Sequence, residues 1–96
     1  MNTKILIKII DAPTTDEAVS YYPIGISMFS TQYIDTIFPI RGSIILTVKY
    51  EIDRIFQLCL ASNKIDTLYF RSGHLSSGGS GSGWKDWYKL TGTAIT

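Results

Sequence analysis

An all-β fold follows from this sequence: a small antiparallel β-sandwich or strongly curved sheet of six to seven strands, with one short helical turn. Two observations lead there. Apolar and other residues alternate with a period of two in several segments, and the joints between those segments are short and rich in turn formers. With 45% hydrophobic, 12% aromatic and only 18% charged residues, the chain carries enough apolar material to fold. Its 96 residues fit one domain, taken as 1–96.

The first strand is expected at Ile5, Ile7 and Ile9, which alternate with Lys4, Leu6 and Lys8. Asp11, Ala12 and Pro13 end it, since proline offers no ladder donor and drives the preceding residue extended. Thr14 with Glu17 three residues later forms a capping-box pattern, which predicts about one helical turn across Thr14 to Ser20. After Pro23, Ile24, Ile26 and Met28 point one way and Gly25, Ser27 and Phe29 the other; the missing side chain at Gly25 suggests a close neighbour on that face. Tyr33 to Phe38 is mixed, either a short strand or an irregular crossing.

From Ser43 to Glu51, Ile44, Leu46, Val48 and Tyr50 alternate with Ile45, Thr47, Lys49 and Glu51. A short turn at Glu51 to Asp53 leads into Arg54 to Ala61, with Phe56, Leu58 and Leu60 opposite Ile55, Gln57 and Cys59. A tight turn at Asn63 and Lys64 precedes Ile65 to Arg71, so three consecutive strands form a meander. Ser72 to Gly83 is almost wholly serine and glycine and reads as a flexible loop. The segment from Trp84 to Leu90 follows, and Thr91 to Thr96 is a candidate final strand.

Little in this chain points to catalysis. The glycine-rich stretch lacks the Lys-Ser/Thr ending of a phosphate loop, being followed by Trp84 and Lys85. His74 is the only histidine and has no second ligand at metal spacing, so no metal is expected; a solvated loop position is the simpler reading. Cys59, the only cysteine, lies between Leu58 and Leu60 as a small buried hydrophobe. The carboxylate pairs Asp16 with Glu17 and Glu51 with Asp53 are sequence neighbours on turns, a poor arrangement for two groups that must face each other across a cleft. The expectation is therefore a protein that is not an enzyme, with no catalytic residues and no cofactor.

Nine basic against eight acidic residues, net +1, leave no electrostatic footprint for nucleic acid or an anionic membrane, and no run is long enough for a spanning helix. A domain of this size buries only about 60 to 65% of its unfolded surface. A mean hydropathy of +0.13 therefore implies apolar surface left over, most simply hidden against another subunit.

Aromatic residues gather late in the chain: Tyr69 and Phe70, then Trp84, Trp87 and Tyr88. Their flat faces and polar edges suit a sugar ring, with Arg71, Lys85 and Asp86 supplying directional hydrogen bonds. The competing reading is that Trp84 and Trp87 close one end of the core. Tyr69-Phe70-Arg71-Ser72, a polar loop, then Trp84-x-x-Trp87-x-x-Leu90 resembles the closing signature of knob-type domains in phage tail fibres and pyocin fibres. The earlier Tyr22-Pro23-Ile24-Gly25-Ile26-Ser27 is similar to the opening of modules in tail proteins of phages of Gram-positive bacteria, and Gly42 to Val48 with Phe56-Gln57 stand where such modules have their intervening strands.

The resemblance runs from about Tyr22 to Leu90. It implies a small β domain of a virion assembled in the host cytoplasm, commonly in a trimeric fibre alongside other virion proteins, that attaches the particle to host cell-surface polysaccharide. Trp84, Trp87, Tyr69, Arg71, Lys85 and Asp86 are the candidate ligand contacts. The alternatives are a purely structural part, such as a fibre spacer or capsid decoration, and a hydrolase of cell-wall glycan.

Overall fold

The alternating segments come together as one six-stranded sheet in a computed structural model that describes residues 6–31, 37–52, 54–61, 66–74 and 82–95. Its strands are β1 (Ile7–Ile9), β2 (Gly25–Ser30), β3 (Ile44–Glu51), β4 (Arg54–Leu60), β5 (Thr67–His74) and β6 (Tyr88–Thr91), and they lie side by side in chain order. From β2 to β6 each strand runs antiparallel to the one before. The expected meander is there, extended by one strand on either side.

At β1 the geometry departs from an all-antiparallel sheet. β1 pairs parallel with β2, Ile7 opposite Ile26 and Ile9 opposite Met28. A parallel pair cannot be joined by a tight turn; the chain must leave one end of the sheet and return to it, which takes about a dozen residues or more. Residues 10–24 make that return, and they pass over one face of the sheet as a cap. The helical element within it is a 3-10 turn at Val19–Tyr21, not the turn expected over Thr14 to Ser20. Thr15 donates to Glu17 within 2.7 Å, so that threonine-glutamate region bonds to itself without capping a helix.

Register assigns every strand residue to a face. The capped face carries Ser27 and Phe29 of β2, Ile45, Thr47 and Lys49 of β3, Ile55, Gln57 and Cys59 of β4, and Tyr69, Arg71 and Gly73 of β5. Val19 and Tyr22 from the cap and Phe38 from the β2–β3 connection complete the core with Phe29, Ile45, Ile55 and Cys59. That connection is stapled down by Thr31 and Ser43: the Thr31 amide donates to the Ser43 carbonyl and the Ser43 amide to Thr31 Oγ1, both at 2.8 Å.

The opposite face is the more apolar of the two, and it is open. Its rows run Ile26, Val48, Phe56; then Met28, Leu46, Leu58, Phe70, Tyr88; then Ile44, Leu60, Leu68, Leu90. None of these joins the buried core cluster. An antiparallel sheet with one solvated face ordinarily turns its polar residues outward. Here lysine, glutamine and arginine lie under the cap and leucine and phenylalanine face out.

Two glycines have different reasons for being glycine. Gly25 has φ +110 with open space where a side chain would stand, so backbone conformation selects it and not the close neighbour its position suggested. Close approach occurs at Gly73 instead, where a Cβ would fall 2.7 Å from Val19 and 2.8 Å from Ile55. The serine-glycine stretch also begins differently from expectation: Ser72, Gly73 and His74 belong to β5, with the His74 amide donating to the Gly83 carbonyl at 2.8 Å. The rest of that stretch up to residue 81, the turn at Asn63 and Lys64, and most of the Tyr33 to Phe38 segment lie outside the described residues.

Candidate functional site

Arg71 is the centre of the capped face. The period-two pattern of β5 turns its side chain under the cap beside Gln57 of β4, its cross-strand partner. Only 2% of Arg71 is exposed. A buried guanidinium needs acceptors, and each of its nitrogens has one: Nε donates to Gln57 Oε1 at 2.9 Å, while Nη1 and Nη2 donate to the two carboxylate oxygens of Asp16 at 3.2 and 2.9 Å. The plane of charge also lies over the rings of Trp84 at 3.8 Å and Trp87 at 4.6 Å, with Phe38 at 5.9 Å.

The aromatics form a connected wall around this cation. Trp84 meets Tyr22 edge-on, Tyr22 stacks with Phe29, Phe29 packs on Phe38, and Phe38 meets Trp87 edge-on, with centroids 5.4 to 6.3 Å apart. Trp84 adds a bond of its own, its indole N–H donating to the Glu17 carbonyl at 2.8 Å. The chain after β5 is pinned back on the same side: Trp84 bridges Gly73, the Lys85 amide donates to the Ser72 carbonyl, and the Val19 amide donates to the Ser82 carbonyl. A bulky Trp84 can lie here because Gly73 has no side chain.

A second cation anchors the cap. Lys49, only 4% exposed, donates from Nζ to the carbonyls of Val19 at 3.1 Å and Tyr22 at 2.8 Å, holding both ends of the 3-10 turn. Burial lowers its pKa from the ordinary lysine value, because the charged form gives up water for two carbonyls. Burial likewise raises the pKa of the Tyr22 phenol, an effect tempered by Gln57 and Arg71 nearby. Gln57 joins the two cross-strand neighbours, accepting from Arg71 and donating to Thr47 at 3.1 Å.

Of the six residues singled out for sugar contact, the structure brings Trp84, Trp87 and Arg71 together and turns them inward against the core. Tyr69 is half-buried on the same face and packs beside the core cluster. Lys85 and Asp86 are exposed, between the two tryptophans in sequence. Asp16 was visible only as half of a carboxylate pair, and its role as the partner of Arg71, 55 residues away, has no local signal in the sequence. Gln57 did carry one: a glutamine at a position whose strand neighbours on the same face, Ile55 and Cys59, are apolar.

Cys59 is a buried free thiol, as its flanking leucines indicated, donating to Ser43 Oγ at 3.3 Å. His74 is an exposed residue at the end of β5. Among the described residues there is no group of three or more histidine, cysteine or acidic side chains placed to hold a metal ion.

No curated protein and no solved structure matches the chain. One family model does, from residue 5 to residue 89, which takes in β1 to β5, the start of β6, the cap and both tryptophans, and it describes a phage-element protein. The likeness to phage tail modules thus holds at the level of a virion or tail protein domain, not of the knob domain in particular. The chain belongs to the family of the third domain of the phage-like element PBSX protein XkdV.

Proposed function

We propose that this domain is a structural, non-enzymatic part of the phage particle, a joint in its tail apparatus, and that its late aromatics serve the fold and not a sugar. The observation that carries the reading is the engagement of Arg71: a guanidinium 2% exposed, bonded to Gln57 and Asp16 and covered by Trp84 and Trp87, offers little to an outside ligand. A sugar platform needs an aromatic face in solvent and polar groups free to bond hydroxyls. Attachment to host polysaccharide would fall instead to Lys85, Asp86 and the outer edges of the indoles.

Trp87→Ala separates the two. As a core-closing residue its loss lowers the melting temperature by about 10 °C, the effect of roughly 2 kcal/mol on a domain of this size, and leaves adherence to bacterial cells as it was. Loss of cell or glycan binding with unchanged melting would overturn the structural reading and restore the attachment one. Release of saccharide from host cell walls would overturn both.

A further inference from the structure

The open face has the make-up of an interface centre. Phe56 is 57% exposed, Tyr88 60% and Leu90 59%, with Ile44, Val48 and Leu60 each above 40%. Phe70 and Tyr88 stack on it at 5.8 Å, forming an aromatic block at the β5–β6 side. No charged residue stands in the three rows; Arg54, registered with Glu51 on one side and His74 on the other, lies at one end of the face as a polar rim. Contiguous apolar surface of this extent marks a contact site.

Size and charge decide what closes it. Six strands about 4.8 Å apart, each about six residues long at 3.3 Å per residue, give a footprint of about 600 Å², so two copies bury about 1,200 Å², where specific stable interfaces begin. In a two-fold contact each patch meets itself, so any charge in it would meet its like. This face has none in its rows, so there it meets its own copy without charge repulsion. Sheets also pack face to face at about 10 Å by interdigitating apolar residues from alternate positions, which both copies supply.

We infer that the open face closes against the same face of a second copy of this chain. The sandwich that one chain leaves half-built is completed between chains. This inference rests on the reading of the domain as a structural joint, and it names the joint's partner.

Sedimentation velocity of the whole chain from 1 to 200 μM tests it. The expected mass is that of two protomers of 10.7 kDa each, and a trimer, in which no face can meet its own copy, overturns the inference. Phe56→Lys and Leu90→Lys, made separately, raise the dissociation constant at least a hundredfold, while Val48→Thr, isosteric and half-exposed, keeps the fold and still weakens association about tenfold. A chain that is monomeric at 200 μM, or an oligomer indifferent to folded forms of these variants, overturns it. A monomer that does not adhere to cells would remove self-association and leave the structural reading standing. An oligomer built on this face whose cell adherence fails in Trp87→Ala without a change in melting would do the reverse.

Discussion

Arg71→Ala is the substitution that asks most of this structure, because three different interactions leave with one side chain. Two indoles lose a desolvated cation at 3.8 and 4.6 Å, worth about 1 to 2 kcal/mol each. Gln57, wholly buried, loses the donor to its Oε1, and an unsatisfied buried acceptor costs about 1 to 3 kcal/mol. The ion pair with Asp16 adds the least: the carboxylate side chain is 47% exposed and rehydrates, so its share is below about 1 kcal/mol. The expected total is about 3 to 8 kcal/mol, against a typical domain stability of about 5 to 15. Urea unfolding at fixed protomer concentration measures it, since association would shift the midpoint by mass action. Asp16→Asn should cost under about 1 kcal/mol, and Arg71→Lys should fall between, keeping charge but losing the planar fork that serves Gln57 and the rings. If Asp16→Asn destabilises as much as Arg71→Ala, the ion pair and not the aromatic enclosure holds the cap, and the reasoning fails.

Two further substitutions and one titration follow from the same packing. Gly73→Ala should cost about 1 to 3 kcal/mol through collision with Val19, Ile55 and Trp84, and a Val19→Ala background should recover part of it. Gly25→Ala meets no atom and should cost about 1 to 2 kcal/mol from its φ of +110 alone, with no rescue by any neighbour; rescue at Gly25 or none at Gly73 would reverse these assignments. Cys59 titrates above its ordinary 9.0 because burial disfavours the thiolate, so from about pH 9 upward the unfolded chain holds fewer protons and stability falls with pH. Lys49 acts in the opposite sense, because its lowered pKa leaves the folded chain with fewer protons as pH approaches 10.5. Comparison with Cys59→Ala isolates the thiol: the parent's stability relative to the variant should decline between pH 8 and pH 10.5, and an unchanging difference would show that the thiol is not held neutral.

The strands were legible because period-two alternation needs only neighbouring residues. Ser43 to Glu51 and Arg54 to Ala61 read as strands at nearly their observed bounds, and the buried thiol at Cys59 followed from its flanks. Alternation does not say which face is covered. Hydropathy marks Leu46, Leu58 and Phe70 as the better core, yet the crossover between β1 and β2 lies over Thr47, Gln57 and Arg71, and chain path outranks hydropathy in deciding what is inside. The crossover itself left a trace, a 15-residue interval from Ile10 to Ile24 broken by Pro13 and Pro23, too long for a hairpin and consistent with parallel pairing. Arg71 and the tryptophans were recognised as unusual, but whether an aromatic-cation cluster looks outward or inward depends on Asp16, and no local pattern joins residues 16 and 71.

The reversed polarity of the two faces has a physical consequence of its own. A cap that crosses a wholly apolar sheet could slide, since dispersion and burial are non-directional. Lys49 on two named carbonyls, Arg71 on Asp16 and Trp84 on the Glu17 carbonyl admit one placement of residues 16–22, because any shift leaves a buried charge or donor without its acceptor. The polar residues are therefore where one arrangement must be chosen within the chain. The open face faces no such demand from its own chain, and its leucines and aromatics are interchangeable in kind. Volume-conserving apolar swaps there, such as Leu58→Met, should leave folding and association nearly unchanged, whereas the equally modest Gln57→Met on the capped face should loosen the cap by leaving the Arg71 Nε donor without its acceptor. Equal tolerance of the two swaps in paired urea and sedimentation measurements would mean that the polar contacts do not select the cap's position.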